Sequence, residues 1–123
     1  YRRMVGGGLR QAGVVAAAGV VALETMVKRL ADDNRMAARF WVLLNQLHPE
    51  CVEPTPPETN ILMVRVADSC YGTAVQFAKR LATHGILARA RDAHTLRFVM
   101  HRHISSEDIQ VAARTIDDLL KGR

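Results

Sequence analysis

All four prolines of this 123-residue chain fall between positions 49 and 57, at Pro49, Pro54, Pro56 and Pro57. A proline ring has no amide hydrogen to give and clashes with the preceding turn, so no helix runs through such a segment. The chain therefore reads as two halves. Before the prolines the spacing is helical. Residues 9–25 are rich in Ala, Gly and Val, and residues 27–47 form a second helix or a continuation past a bend near Thr25. Phe40, Leu43, Leu44 and Leu47 recur at helical spacing, with Arg35 and Arg39 on the other side.

After the prolines the pattern shortens. Ile61 to Val66 suits a buried strand, and residues 72–84 make a helix with Ala74, Phe77, Ala78 and Leu81 on one face, stopped by Gly85. Ile86 to Arg91 and Thr95 to Met100 read as strands joined by a turn at Asp92-Ala93-His94. Ser105 or Ser106 caps a last helix whose buried stripe is Ile109, Ala112, Ala113, Ile116, Leu119 and Leu120. The order α-α-β-α-β-β-α predicts an α+β fold with an antiparallel or mixed sheet covered by helices. Residues 1–47 would supply a glycine loop and linking helices, 48–60 a proline-rich connection, and 61–123 a small α+β domain.

Composition removes several function classes. With 49% hydrophobic residues the chain can close one small core. The net charge of +5 is spread from Arg2 to Arg123 in runs no longer than two, acidic residues alternate with it, and aromatics are few. Nucleic-acid binders cluster their charge, so no nucleic-acid partner is expected. Cys51 and Cys70 form no C-x-x-C pair. Together with five methionines they fit a reducing, cytoplasmic setting. The small apolar run from Ala12 to Leu23 is shorter than the ~20 residues a membrane span needs, so no membrane partner is expected. His101 and His103 form an H-x-H with no third ligand at a supporting spacing, and no metal is assigned. His48, His84 and His94 fall at element ends or turns, and Asp117-Asp118 reads as solvated charge on the last helix.

Two places could carry chemistry. Gly6-Gly7-Gly8 leads directly into the first helix, whose free amide groups and positive dipole end face back toward the loop, with Arg10 adding a full charge. Such a loop suits a phosphate, a carboxylate or a tight subunit contact; otherwise Arg10 pairs with Glu24, Asp32 or a partner chain. Arg97 lies in a strand whose Leu96, Phe98 and Met100 face one way, which puts Arg97 on the other face with Thr95 and Val99. A guanidinium on a rigid strand can grip a carboxylate through two parallel hydrogen bonds; otherwise it reaches solvent or an internal carboxylate.

The string Arg2-Arg3-Met4-x-Gly6-Gly7-Gly8-Leu9-Arg10-Gln11-Ala12-Gly13 resembles the pyridoxal-phosphate-dependent threonine aldolases, of the beta-eliminating lyase family, and the chain looks like their C-terminal third. Thr59 to Val66, Leu96 to His101 and Ile104 to Ile109 support the likeness in the same order, while His48 to Glu58 departs from it. The resemblance implies the small domain of a fold-type-I enzyme. The intact enzyme would cleave threonine or allo-threonine to glycine and acetaldehyde, in threonine catabolism and glycine biosynthesis, with pyridoxal 5'-phosphate as electron sink. It also implies that Arg97 binds the substrate carboxylate, that Arg10 lies at a subunit boundary close to the cofactor phosphate, and that Arg3 assists. Lys28, Lys79 and Lys121 all sit on expected helices. The cofactor-attaching lysine would then lie upstream, leaving no catalytic residue here and a segment inactive alone. The implied partners are the amino-acid substrate, an N-terminal large domain and further copies in a dimer or tetramer. The alternative is a stand-alone, non-catalytic binding module derived from such an enzyme.

Overall fold

A computed structural model describes Tyr1, residues 4–66 and residues 72–122, arranged as two compact units, Tyr1–Leu30 and Ala31–Arg123. In the first unit, α1 (Ala12–Val21) runs on into a π-helical stretch, Ala22–Met26. The hydroxyl of Thr25 donates to the Val21 carbonyl at 2.7 Å. Such back-bonding competes with the backbone ladder; where a continuation past a bend or a second helix was expected, the helix turns π-helical and gives way to a turn at residues 27–29. The helix begins at Ala12 rather than at Leu9, because the preceding residues stay in the glycine turn. Gly6 has φ +84°, which only glycine adopts cheaply, and the Gly8 amide donates to the Gly6 carbonyl at 2.9 Å. No residue of α1 is buried.

The second unit builds the core. Its elements are α2 (Leu30–Leu47), a 3₁₀ turn (Pro49–Cys51), β1 (Ile61–Arg65), α3 (Ala74–Thr83), β2 (Arg89–Ala90), β3 (Thr95–Val99) and α4 (Ser106–Leu120). The three strands make an antiparallel sheet in the order β1-β3-β2, so the architecture is α+β with β3 in the middle. Strand alternation divides the sheet into two faces. Leu62, Val64, Leu96 and Phe98 are buried, while Met63, Arg65, Thr95, Arg97 and Val99 lie on the other side. Phe40 and Leu44 of α2, Phe77 and Leu81 of α3, and Ile109 and Ile116 of α4 complete the same cluster. The Phe40 ring meets Phe98 edge-on, with centroids 5.3 Å apart. Thus α2, grouped by sequence with the linking helices, belongs to the core of the α+β unit.

Local chemistry sets the boundaries. Thr73 with Gln76, and Ser105 with Asp108, form capping boxes at the starts of α3 and α4, so Ser105 rather than Ser106 is the cap. Gly85 (φ +77°) ends α3 in a Schellman turn, with the Ile86 amide donating to Leu81 and the Gly85 amide to Ala82, both at 3.0 Å. Ile86 is thereby held in a helix cap, and the strand expected from Ile86 to Arg91 shrinks to Arg89–Ala90. β3 ends at Val99. Met100 instead exchanges bonds with Asn60: its amide donates to the Asn60 carbonyl at 2.8 Å, and Asn60 Nδ2 donates to its carbonyl at 2.7 Å. The proline-rich connection is pinned by Trp41 Nε1 donating to the Glu53 carbonyl at 2.8 Å and by a bridge between Val52 and Val64. Among the described residues, no helix is long and apolar enough to cross a membrane.

The Phe40–Phe98 contact yields a stability prediction. Phe40→Ala deletes a ring that is 1% exposed at the centre of the core and should cost about 3–5 kcal/mol, read as a lowered urea midpoint at unchanged slope. A change below about 1 kcal/mol would mean that α2 does not close the core.

Candidate functional site

The open face of the sheet carries the basic residues. Arg97 occupies the central strand, with Met63 of β1 opposite it on one side and Arg89 of β2 opposite it on the other. Directly opposed residues in an antiparallel pair have Cβ atoms about 5 Å apart, so the two guanidinium groups share one region. A cleft of about 550 Å³ is lined by Met63, Arg89, Ala90, Arg91 and Arg97. Among the described residues, neither Arg97 nor Arg89 forms an ion pair, whereas Arg65, one rung from Arg97's row, pairs with Glu53 at 3.7 Å. Arg91 stands beside Asp92, whose carboxyl is held below its ordinary range, chiefly by the backbone amide of His94 and in smaller part by Arg91.

This arrangement is suited to an anion. Like charges directly opposite on a sheet repel, and a carboxylate placed between them relieves that repulsion. β3 is paired on both sides, and Leu96 and Phe98 are locked in the core on either side of Arg97. The Arg97 guanidinium therefore projects from a fixed backbone and can set the plane of a carboxylate as well as its charge. Sequence reasoning singled out Arg97 and missed Arg89. The available signal was the Arg89-x-Arg91 alternation in the expected strand, but the register that sets Arg89 opposite Arg97 depends on the turn between β2 and β3.

Arg10 is exposed and stands two residues before α1, outside the helix's first turn where sequence placed it. Gln11 at the N-cap makes no side-chain bond, and the first turn has no acidic residue, so the positive end of the helix is uncompensated. A Cβ added at Gly6 or Gly8 would meet nothing within 4 Å; of the two, only Gly6 requires glycine for conformation. Arg10 and Arg97 belong to different units. Arg3 lies outside the described residues.

The histidines and Asp117 correct simpler expectations. His101 lies two residues beyond the end of β3. Its ring meets His103 edge-on at 5.8 Å, and the His103 amide donates to His101 Nδ1 at 3.3 Å. His48 is not a solvated turn residue. Its side chain is half-buried, with Nε2 2.9 Å from Asp117 and Nδ1 3.1 Å from Glu50. Nor is Asp117 solvated charge, since it also accepts from Lys121 Nζ at 2.7 Å. Lys121, and His48 after it, hold the Asp117 carboxyl below the usual range. Glu50 is likewise lowered, first by its own backbone amide and then by His48. Burial, reinforced by Glu50, pushes the Cys51 thiol up to about 11. The donor atoms of His48, Glu50 and Cys51 lie within 4.8 Å of one another, and the group ties the end of α2 to α4.

The family model described as beta-eliminating lyase matches residues 1–69. A low-specificity L-threonine aldolase of Arabidopsis thaliana is 33% identical over 108 residues, covering 88% of this chain and 30% of that protein. The low specificity L-threonine aldolase of Escherichia coli K12 is 35% identical over 114 residues, covering 92% of this chain and 32% of that protein. The chain thus spans about a third of the length of the curated relatives it matches.

The His48 cluster makes stability depend on pH at both ends. Cys51 has its pKa raised on folding, so the folded state holds the proton more tightly. That contribution is complete below about pH 9 and is lost as pH rises toward 11. Asp117 and Glu50 are depressed, so their contribution is present above the ordinary carboxylate range and lost as pH falls through it. Urea midpoints across pH should therefore show an alkaline decline that Cys51→Ala reduces and an acid decline that Asp117→Asn reduces. Identical profiles in wild type and variants would contradict the assignment.

Proposed function

We propose that this chain, which belongs to the beta-eliminating lyase family, is the C-terminal part of a pyridoxal-phosphate-dependent lyase that cleaves threonine and allo-threonine to glycine and acetaldehyde. The observation that carries the reading is Arg97, fixed on the central strand above a cleft and without an ion-pair partner among the described residues. The printed activity of the aldolases that align over most of this chain gives the reaction class.

Arg97 would hold the substrate carboxylate. Fixing that group fixes rotation about the bond to Cα, and so selects which Cα bond is broken. The bound cofactor supplies an electron sink for that bond. The residues present fit one part of it: Arg10, an exposed cation ahead of an uncapped helix terminus, has the chemistry of a phosphate-binding position, with Arg3 assisting. The lysines fit less well. Lys121 is engaged with Asp117 on α4, Lys79 lies on α3, and Lys28 lies in the first unit beyond its helices. The attachment lysine is therefore assigned to a large domain N-terminal to this chain, and the segment alone is inactive. The exposed α1, with no buried residue, supports packing against that domain or against further copies in a dimer or tetramer, with Arg10 at the boundary. A cytoplasmic role in threonine breakdown and glycine formation follows from this reading.

A second reading is a stand-alone binding module, favoured by the self-contained core of the second unit. One experiment separates the two. In the full-length polypeptide that carries this chain, Arg97→Ala should raise KM for threonine and lower kcat/KM by about 30-fold or more, the kinetic equivalent of ~2 kcal/mol lost with a charged partner. Arg97→Lys should recover only part. Unchanged kinetics in Arg97→Ala would remove the clamp, and no threonine cleavage by the wild-type polypeptide would favour the module.

A further inference from the structure

The cleft holds more positive charge than one carboxylate requires. Arg89 stands directly opposite Arg97 in the β2–β3 register, lines the same cleft, and forms no ion pair among the described residues. Arg65, on the same face, is paired with Glu53, and Arg91 adds a third guanidinium to the lining of the cleft. β2 is only two residues long. A short edge strand gains little from two like charges set opposite each other across the sheet. The pair becomes favourable when anionic groups lie between or beside the guanidiniums, and two forks can take two carboxylates held a few ångströms apart.

We propose that Arg89 is a second anion-binding residue of the Arg97 site, selecting an amino acid whose side chain ends in a carboxylate. The inference rests on Arg97 holding the α-carboxylate, as proposed above. Arg89 then meets the far end of the substrate. The substrate class is a β-hydroxy amino acid with a second carboxylate, of which 3-hydroxyaspartate is the smallest member. Its cleavage balances without a further reactant. The β-hydroxyl proton leaves as its oxygen becomes a carbonyl. The Cα–Cβ bond breaks with its electron pair passing to Cα, Cα takes up a proton, and the products are glycine and glyoxylate.

The test uses the full-length polypeptide and two readouts. In the first, kcat/KM is measured for 3-hydroxyaspartate and for threonine. Wild type should prefer the dicarboxylic substrate, and Arg89→Gln should lower that preference ratio at least about tenfold, the equivalent of one lost charged hydrogen bond. The second readout needs no turnover. Aspartate lacks the hydroxyl that cleavage requires, so its affinity and that of glycine can be compared by calorimetry. Arg89→Gln should lower the aspartate-to-glycine affinity ratio by a similar factor, and Arg89→Lys should restore part of it. Arg89 is exposed at a sheet edge, and the thermal unfolding of each variant checks that folding is retained. Ratios unchanged in both readouts would overturn the proposal. If Arg97→Ala abolishes binding of both ligands while Arg89→Gln moves neither ratio, only the Arg89 inference fails. If Arg97→Ala leaves both ligands bound as before, the underlying clamp fails and the Arg89 inference with it.

Discussion

Strand β3 is the element on which the remainder depends, because consecutive residues along it serve opposite purposes. Leu96 and Phe98 point into the core, where Phe98 meets Phe40 of α2. Arg97, between them, points to the other face. The period of two in a strand makes these roles inseparable. A one-residue shift in register would bury a guanidinium and expose a phenyl ring, so the apolar contact that stabilises the unit also aims the arginine. Pairing on both edges of β3 removes the remaining backbone freedom. A binding group that must set the plane of a carboxylate is well placed at such a position, where core packing rather than loop conformation fixes its origin.

The two units show different physical logic. The second closes its own core, caps its helices with Thr73 and Ser105, and ties α2 to α4 through His48 and Asp117. The first unit buries nothing on α1, leaves its helix N-terminus uncapped, and offers open space around Gly6 and Gly8. Exposed valines such as Val14, Val15, Val20 and Val21 gain nothing from water. The curated relatives that match this chain are about three times as long, and the contrast supports the proposal that the first unit packs against further protein.

Much of this was legible in the residues. The prolines marked the end of α2, but the two units meet at Leu30 and Ala31 instead; Phe40 and Leu44 of the expected α2 stripe are core while Leu47 is 42% exposed, and the alternation around Arg97 gave its face. Gly85 as a helix stop also follows, from the backbone freedom of glycine. The rest depends on partners distant in sequence. His48 and Asp117 are separated by 69 positions, so their contact is set by how α2 and α4 pack, and each residue alone reads as solvated. Arg89 is placed opposite Arg97 by the turn between β2 and β3, closed by the Arg91 amide donating to the Thr95 carbonyl, a pairing that neither residue shows alone. The expected strand from Thr95 to Met100 stops one residue short, because Met100 exchanges bonds with Asn60.

The central claim is that Arg97 is the carboxylate-holding residue of an amino-acid lyase, positioned by the core behind it. The most direct test is a crystal structure of the full-length polypeptide with its cofactor and glycine bound. The account predicts the glycine carboxylate held by Arg97 through two parallel N–H···O bonds of about 2.8 Å, with β3 in the register described above. A glycine carboxylate bound by other residues, with the Arg97 guanidinium in solvent, would contradict it.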